Sequence, residues 1–168
     1  MATTINIMTS NVGFDLDGII APEPKIIDKL FKNCGDIHGA DLGVFIRDYL
    51  LPKLYEPWGI NGTIITRRPQ FDSESTIFWL KKNGIKYSKI IFAPKLLTDE
   101  ENWNFKANHI IEEKIEYYLE SDAVTAEKIE KVIAEKVRKR TTKPNIKISA
   151  DIQLFLKMCW LKDPYIGI

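Results

Sequence analysis

The stretch Gly13-Phe14-Asp15-Leu16-Asp17-Gly18-Ile19-Ile20 decides how the chain is read. Apolar residues lead into it, two carboxylates stand one residue apart, and a glycine follows at once. Side chains alternate between the faces of a strand, so Asp15 and Asp17 are expected on the same side. At the C-terminal end of a strand, that side opens into the crevice where parallel α/β sheets bind ligands. Gly18 permits a sharp turn and a close approach of ligand to backbone. Two acids so placed can share a hard cation, or one can attack while the other moves a proton. The ordinary alternative is a strand that runs out into an Asp-Gly turn.

Working outward, strands and helices alternate. Residues 12–16 predict the first strand, and Pro24 suits the first turn of a helix over 25–32. Residues 33–40 read as a loop. A second apolar-periodic stretch over 42–55 is kinked or divided by Pro52. Residues 60–65 predict the second strand, running into Thr66-Arg67-Arg68-Pro69. Asp72 or Ser73 can cap a helix over 74–83 that Gly84 stops. Residues 89–93 predict the third strand. Thr98 and Glu101 form a capping-box pattern opening a helix that runs to about residue 114. Residues 115–119 predict the fourth strand, followed by Glu120-Ser121-Asp122 and a strongly periodic helix over 123–137. A basic run follows, then a short strand over 146–149 and an apolar segment over 152–161. The alternation predicts an α/β fold: a Rossmann-like, three-layer αβα domain with a mostly parallel sheet.

The 168 residues suit one domain with a sizeable core, and hydrophobic and charged fractions of 45% and 28% are those of an ordinary globular chain. A formal net charge of +1 gives no global field to favour nucleic acid or membrane. Cys34 and Cys159 form neither a metal-ligand spacing nor a disulfide framework, as expected of a reduced, cytoplasmic protein. The first residues lack the charged start and long apolar run of a secretory leader, and no apolar stretch reaches membrane-spanning length. His38 and His109 are isolated and expected to be structural or exposed.

Polar groups collect where the predicted strands end. The first strand supplies Asp15 and Asp17, the second Thr66, and the fourth Glu120, Ser121 and Asp122. Lys106 lies on the helix leading into the fourth strand. Acids for a cation, a hydroxyl for an anion and a lysine for negative charge suit phosphoryl transfer. Each residue also has a simpler use. Thr66 can cap a turn, Lys106 can be a solvated helix lysine with Lys114 taking its place, and Glu120 and Asp122 can cap the following helix.

Over residues 12–131 this order resembles the haloacid dehalogenase superfamily, largely phosphatases and phosphotransferases. Phe14-Asp15-Leu16-Asp17-Gly18 is similar to its first motif, Ile64 through Pro69 to its second, Lys106 to its third, and Tyr118-Leu119-Glu120-Ser121-Asp122 to its acidic fourth. Ile19 departs from the threonine or valine usual there. The resemblance implies that Asp15 is a nucleophile forming an aspartyl-phosphate, and that Asp17 protonates the leaving oxygen and then activates water. Thr66 would bond the phosphoryl group and Lys106 would offset its charge. Mg²⁺ would sit between Asp15, the Asp17 carbonyl and an acid of the fourth motif, Asp122 first and Glu120 second. The expected function is a Mg²⁺-dependent phosphatase acting on a small phosphorylated metabolite or nucleotide.

The whole chain, 1–168, then reads as one such domain, with residues 21–58 as a minimal helical cap and 138–168 as a C-terminal extension. The small cap leaves an open site that could admit a bulky substrate or be covered by a partner subunit, so a homo-oligomer is one expectation. Arg67 and Arg68 could hold a second phosphate or carboxylate, or face solvent. A receiver-type phosphorylation domain uses similar residues, but needs an Asp ending the third strand, where Phe92-Ala93-Pro94 stands. Two other functions stay open. One is a non-catalytic phosphate- or partner-binding module. The other is a nucleic-acid end-processing phosphatase using Lys136, Arg138, Lys139, Arg140 and Lys143.

Overall fold

Strand and helix alternate as the periodicity predicts. A computed structural model describes residues 11–21, 62–138 and 143–151. The elements are β1 (Val12–Phe14), β2 (Thr63–Pro69), a short 3-10 turn (Gln70–Asp72), α1 (Ser73–Lys82), β3 (Lys89–Ala93), α2 (Asp99–Glu112), β4 (Tyr117–Leu119), α3 (Ala123–Val137) and β5 (Lys147–Ser149). The expected cap over 21–58, its helices, and the apolar segment over 152–161 fall, apart from Ala21, outside the described residues. So do His38, Cys34 and Cys159.

The ends of the helices are set by local chemistry. Thr98 Oγ1 accepts from the Glu101 amide at 3.3 Å, and the Glu101 carboxylate accepts from the Thr98 amide at 2.9 Å, completing the capping box. Asp122 Oδ1 accepts from the Thr125 amide at 2.6 Å and opens α3. Beyond α1, Gly84 takes a left-handed φ of 69°, which lets the Gly84 and Ile85 amides close back on the Lys81 and Leu80 carbonyls.

Several boundaries differ from expectation. β1 stops at Phe14 rather than residue 16, because the Leu16 amide turns to the Asp15 carboxylate (2.8 Å) instead of a neighbouring strand. β2 starts at Thr63 and continues through the two arginines, since β3 offers it partners as far as Ala93, across a register shift after Thr66. The helix expected to reach about 114 ends at Glu112, and the Ile115 amide folds back onto the Ile110 carbonyl. β4 therefore begins only at Tyr117.

All neighbouring strands are parallel, in the order β3-β2-β1-β4-β5. Crossovers between parallel strands are right-handed, so connections that travel in opposite directions lie on opposite faces. α1 leads from β2 outward to β3. α2 returns across the sheet to β4, and α3 carries on to β5. The two cores reflect this. Trp79 and Leu80 of α1 pack with Phe14, Leu16, Ile64 and Leu119. Ala107 and Ile110 of α2 and Ile129 and Ile133 of α3 pack with Ile65 and Tyr118 on the other face. The result is a small Rossmann-like α/β fold. β5 pairs with β4 (Tyr117↔Lys147, Leu119↔Ser149), so the segment following the basic run completes the sheet edge. Among the described residues, no helix is long and apolar enough to cross a membrane.

Direction reverses at β1, with β2 and β3 on one side and β4 and β5 on the other. In an open sheet of this order, the C-terminal ends of β1 and β4 are where a ligand-binding crevice is expected. Beneath it, the Tyr118 ring spans β1, and its hydroxyl donates to the Ile65 carbonyl of β2 at 3.1 Å. The span requires Gly13, where a Cβ would lie 2.9 Å from Tyr118 Cδ2 and 2.7 Å from Ile115 Cδ1. Gly13→Ala is expected to cost about 1–3 kcal/mol, read as a lower urea midpoint with unchanged slope.

Candidate functional site

Asp15 is the first residue past β1. Its amide still donates to the Leu119 carbonyl of β4 at 2.8 Å, which fixes the backbone at the floor of the crevice. The chain then turns tightly. Gly18 adopts φ 82° and donates to the Ala21 carbonyl at 2.7 Å, while the Ile20 and Ala21 amides both reach the Leu16 carbonyl at 2.9 Å. Leu16, Ile19, Ile20 and Ala21 are buried in the core. The loop is thus anchored by apolar side chains below and presents Asp15 and Asp17 above. Asp15 and Asp17 lie beyond the strand proper, so the turn, rather than strand alternation, sets their positions.

Asp15 is buried, at 6% exposure. Its Oδ1 accepts from the Leu16 amide and lies 3.0 Å from Lys106 Nζ, and Oδ2 accepts from Ser121 Oγ at 3.4 Å. Lys106, on α2, also donates to Glu120 Oε2 at 2.7 Å. Glu120 follows β4, and its Oε1 accepts from the Ser121 amide at 3.0 Å. One ammonium thus stands between two carboxylates from separate strand ends, with all three groups buried.

Electrostatics follow from that count. Burial drives the Asp15 carboxyl well above its ordinary 3.8; Lys106 opposes the rise, and Glu120 and Asp17 add to it. For Lys106, burial favours the neutral amine, but Asp15 and Glu120 outweigh it and the net direction is up. The Tyr118 phenol is raised by burial and by the same two carboxylates.

The second strand adds the other members. Thr66 is fully buried on β2, and its Oγ1 accepts from the Arg68 amide at 3.1 Å. Arg68 Nε and Nη2 donate to Asp17 Oδ2 and Oδ1 at 3.1 and 2.8 Å. Its Nη1 donates to Thr76 Oγ1 of α1 at 2.8 Å. Arg67 points elsewhere, to Asp99 and the Leu97 carbonyl at the start of α2. Both arginines expected to hold substrate therefore have protein partners.

Of the expected site residues, the structure gathers Asp15, Lys106 and Glu120 into one cluster and ties Asp17 to Arg68 beside Thr66. Asp122, the first choice for the acidic ligand, caps α3, and its neighbour Glu120 occupies the cluster instead. Lys114, the rival for the lysine role, has φ 54° at the end of α2. His109 pairs with Glu112 and meets the Phe105 ring edge-on. Sequence reasoning missed the Arg68–Asp17 pairing and the part played by Thr76. The available signal was period two along β2, which puts Thr66 and Arg68 on one side and Arg67 on the other.

Among the described residues, no group of three or more His, Cys, Asp or Glu side chains could hold a metal ion. The carboxylates on Lys106 are those of Asp15 and Glu120, with Ser121 Oγ beside Asp15. No protein-family model matches the chain, and no curated protein matches it.

Two stability outcomes follow from the cluster. Because Asp15 is raised above its unfolded value, the folded state binds that proton more tightly, and stability falls as pH rises from 3.8 through the folded value. Asp15→Asn can keep Oδ1 on Lys106 and turn its amide to Ser121. In metal-free buffer it should unfold at higher urea than wild type at pH 7, with the gap closing toward pH 4. Lys106→Met should lose about 3–5 kcal/mol, because two buried carboxylates are left without their cation.

Proposed function

We propose that the chain is a phosphoric monoester hydrolase that works through a covalent phosphate on Asp15. The observation that supports it most is Lys106 Nζ held at 3.0 Å from Asp15 and 2.7 Å from Glu120, beyond the ends of the two strands that flank the reversal of direction. A buried carboxylate with a fixed cation beside it is positioned to meet a phosphoryl group. The order of the motifs, similar to the haloacid dehalogenase superfamily, points the same way.

In the proposed reaction, an Asp15 carboxylate oxygen attacks phosphorus as the bond from phosphorus to the ester oxygen breaks. Asp17 gives its proton to the departing oxygen. Water then attacks the aspartyl-phosphate, Asp17 takes a proton from it, and the bond between phosphorus and Asp15 breaks to release inorganic phosphate. The proton that Asp17 takes from water replaces the one it gave to the leaving oxygen. The Thr66 hydroxyl donates to a phosphoryl oxygen, since the bond it accepts from Arg68 leaves its proton available. Lys106 offsets charge on Asp15 and on the phosphoryl group.

The donor set fits a hard divalent cation such as Mg²⁺. Two carboxylates, those of Asp15 and Glu120, face the one ammonium of Lys106, so when both are ionised one negative charge is unmatched. Asp15, the Asp17 carbonyl and Glu120 would hold the ion. Once bound, it would neutralise phosphate charge and orient the phosphoryl group toward Asp15. The substrate class is a small phosphorylated metabolite or nucleotide.

The test is hydrolysis of p-nitrophenyl phosphate with and without Mg²⁺. Asp15→Asn should lose at least about a thousandfold in turnover, and Asp17→Asn about a hundred- to ten-thousandfold. Removal of the metal by a chelator should abolish activity, and Mg²⁺ should restore it. No turnover, together with no rise in melting temperature on adding beryllium fluoride and Mg²⁺, would overturn the assignment.

A further inference from the structure

β2 carries two arginines in succession, and the pleat sends them to opposite sides. Arg67 is exposed and pairs with Asp99, whereas the Arg68 side chain is only 3% exposed. Burying a guanidinium is costly unless its donors are matched. Here each of its nitrogens has an acceptor. Nε and Nη2 meet the two oxygens of Asp17, and Nη1 meets the buried hydroxyl of Thr76. Thr76 lies on α1, in the layer against the opposite face of the sheet from α2.

We propose that Arg68, anchored by Thr76, is the positioning residue that orients the Asp17 carboxyl for proton transfer. This rests on the phosphatase reading above and assigns Arg68 a role other than the substrate contact expected of it. Asp17 is on the loop after β1, and its side chain is 20% exposed at the edge of the crevice. A two-point fork fixes the plane of a carboxyl as well as its location, which a point charge does not. A carboxylate offers about four acceptor positions on its two oxygens. The two bonds from Arg68 take one position on each oxygen, so each oxygen keeps a position facing away from the guanidinium. The guanidinium is spent on protein acceptors below the surface, so it holds the acid rather than the phosphate.

Leaving-group dependence tests this. A series of substituted phenyl phosphates shares one phosphoryl group and differs in the acidity of the departing phenol. The least acidic phenols need the proton from Asp17 most. In Arg68→Lys, kcat/KM should fall about tenfold more for the least acidic phenol than for p-nitrophenol, while inhibition by inorganic phosphate stays within about twofold of wild type. Thr76→Val should give the same pattern more weakly. Adding Arg68→Lys to Asp17→Asn should cause little further loss, since both act on one proton transfer. Thermal melting checks that each variant is folded, and Thr76→Val keeps the test alive if substitution at Arg68 prevents folding. Weaker phosphate inhibition with an unchanged leaving-group slope would make Arg68 a phosphate ligand and overturn the proposal. An equal loss across the series would make it merely structural, with the same result. If wild type turned over none of the esters and beryllium fluoride with Mg²⁺ did not raise its melting temperature, the phosphatase reading itself would fall, and the role of Arg68 with it.

Discussion

The Lys106 ammonium, buried between Asp15 and Glu120, is the contact on which the rest of the structure depends. A charge taken out of water at that depth is tolerable only with partners at hydrogen-bond distance. Its two partners come from the ends of β1 and β4, and Lys106 comes from the helix that crosses between the two halves of the sheet. The three therefore meet only if β4 has returned to lie beside β1. Strand order, crossover hand and the charge cluster are in this sense one constraint.

Apolar packing underneath makes the cluster affordable. Ile110 and Ile115 are fully buried on the Lys106 side of the sheet, and Leu16 and Ile20 hold the Asp15–Gly18 turn from the other. Burial of each such side chain contributes on the order of 1.5–3 kcal/mol. Tyr118 adds a transverse tie, reaching over Gly13 to the β2 carbonyl at residue 65. The phenol is raised first by burial and then by the Glu120 and Asp15 carboxylates.

The two acids of the first motif occupy different electrostatic settings. Asp15 is deeply buried, shares one ammonium with Glu120 and is pushed up by burial. Asp17 is nearer solvent and held by the Arg68 fork. The two carboxylates thus differ both in burial and in the cation each one faces. The arrangement is built from four separate segments, namely the turn after β1, the end of β2 with α1, the middle of α2, and the end of β4.

The sequence by itself determined the alternation of elements, and several were legible nearly to the residue. Residues 89–93 and 123–137 read correctly because their apolar spacing and flanking caps agree, and Thr98 with Glu101 announces α2 through contacts that are local in the chain. Lys106 stands on α2 as its position in the sequence places it, whereas Thr66 lies inside β2 and Asp15 and Asp17 on the turn after β1 rather than on the predicted strand ends. Tertiary structure decided what no local rule contains. It brought Glu120 to Lys106 by setting β4 beside β1. It lengthened β2 because β3 lay alongside. It joined Arg68 to Asp17 across 51 positions of sequence. Hydrogen bonds and ion pairs between distant segments depend on which strands become neighbours, and that is set only when both faces of the sheet are buried together.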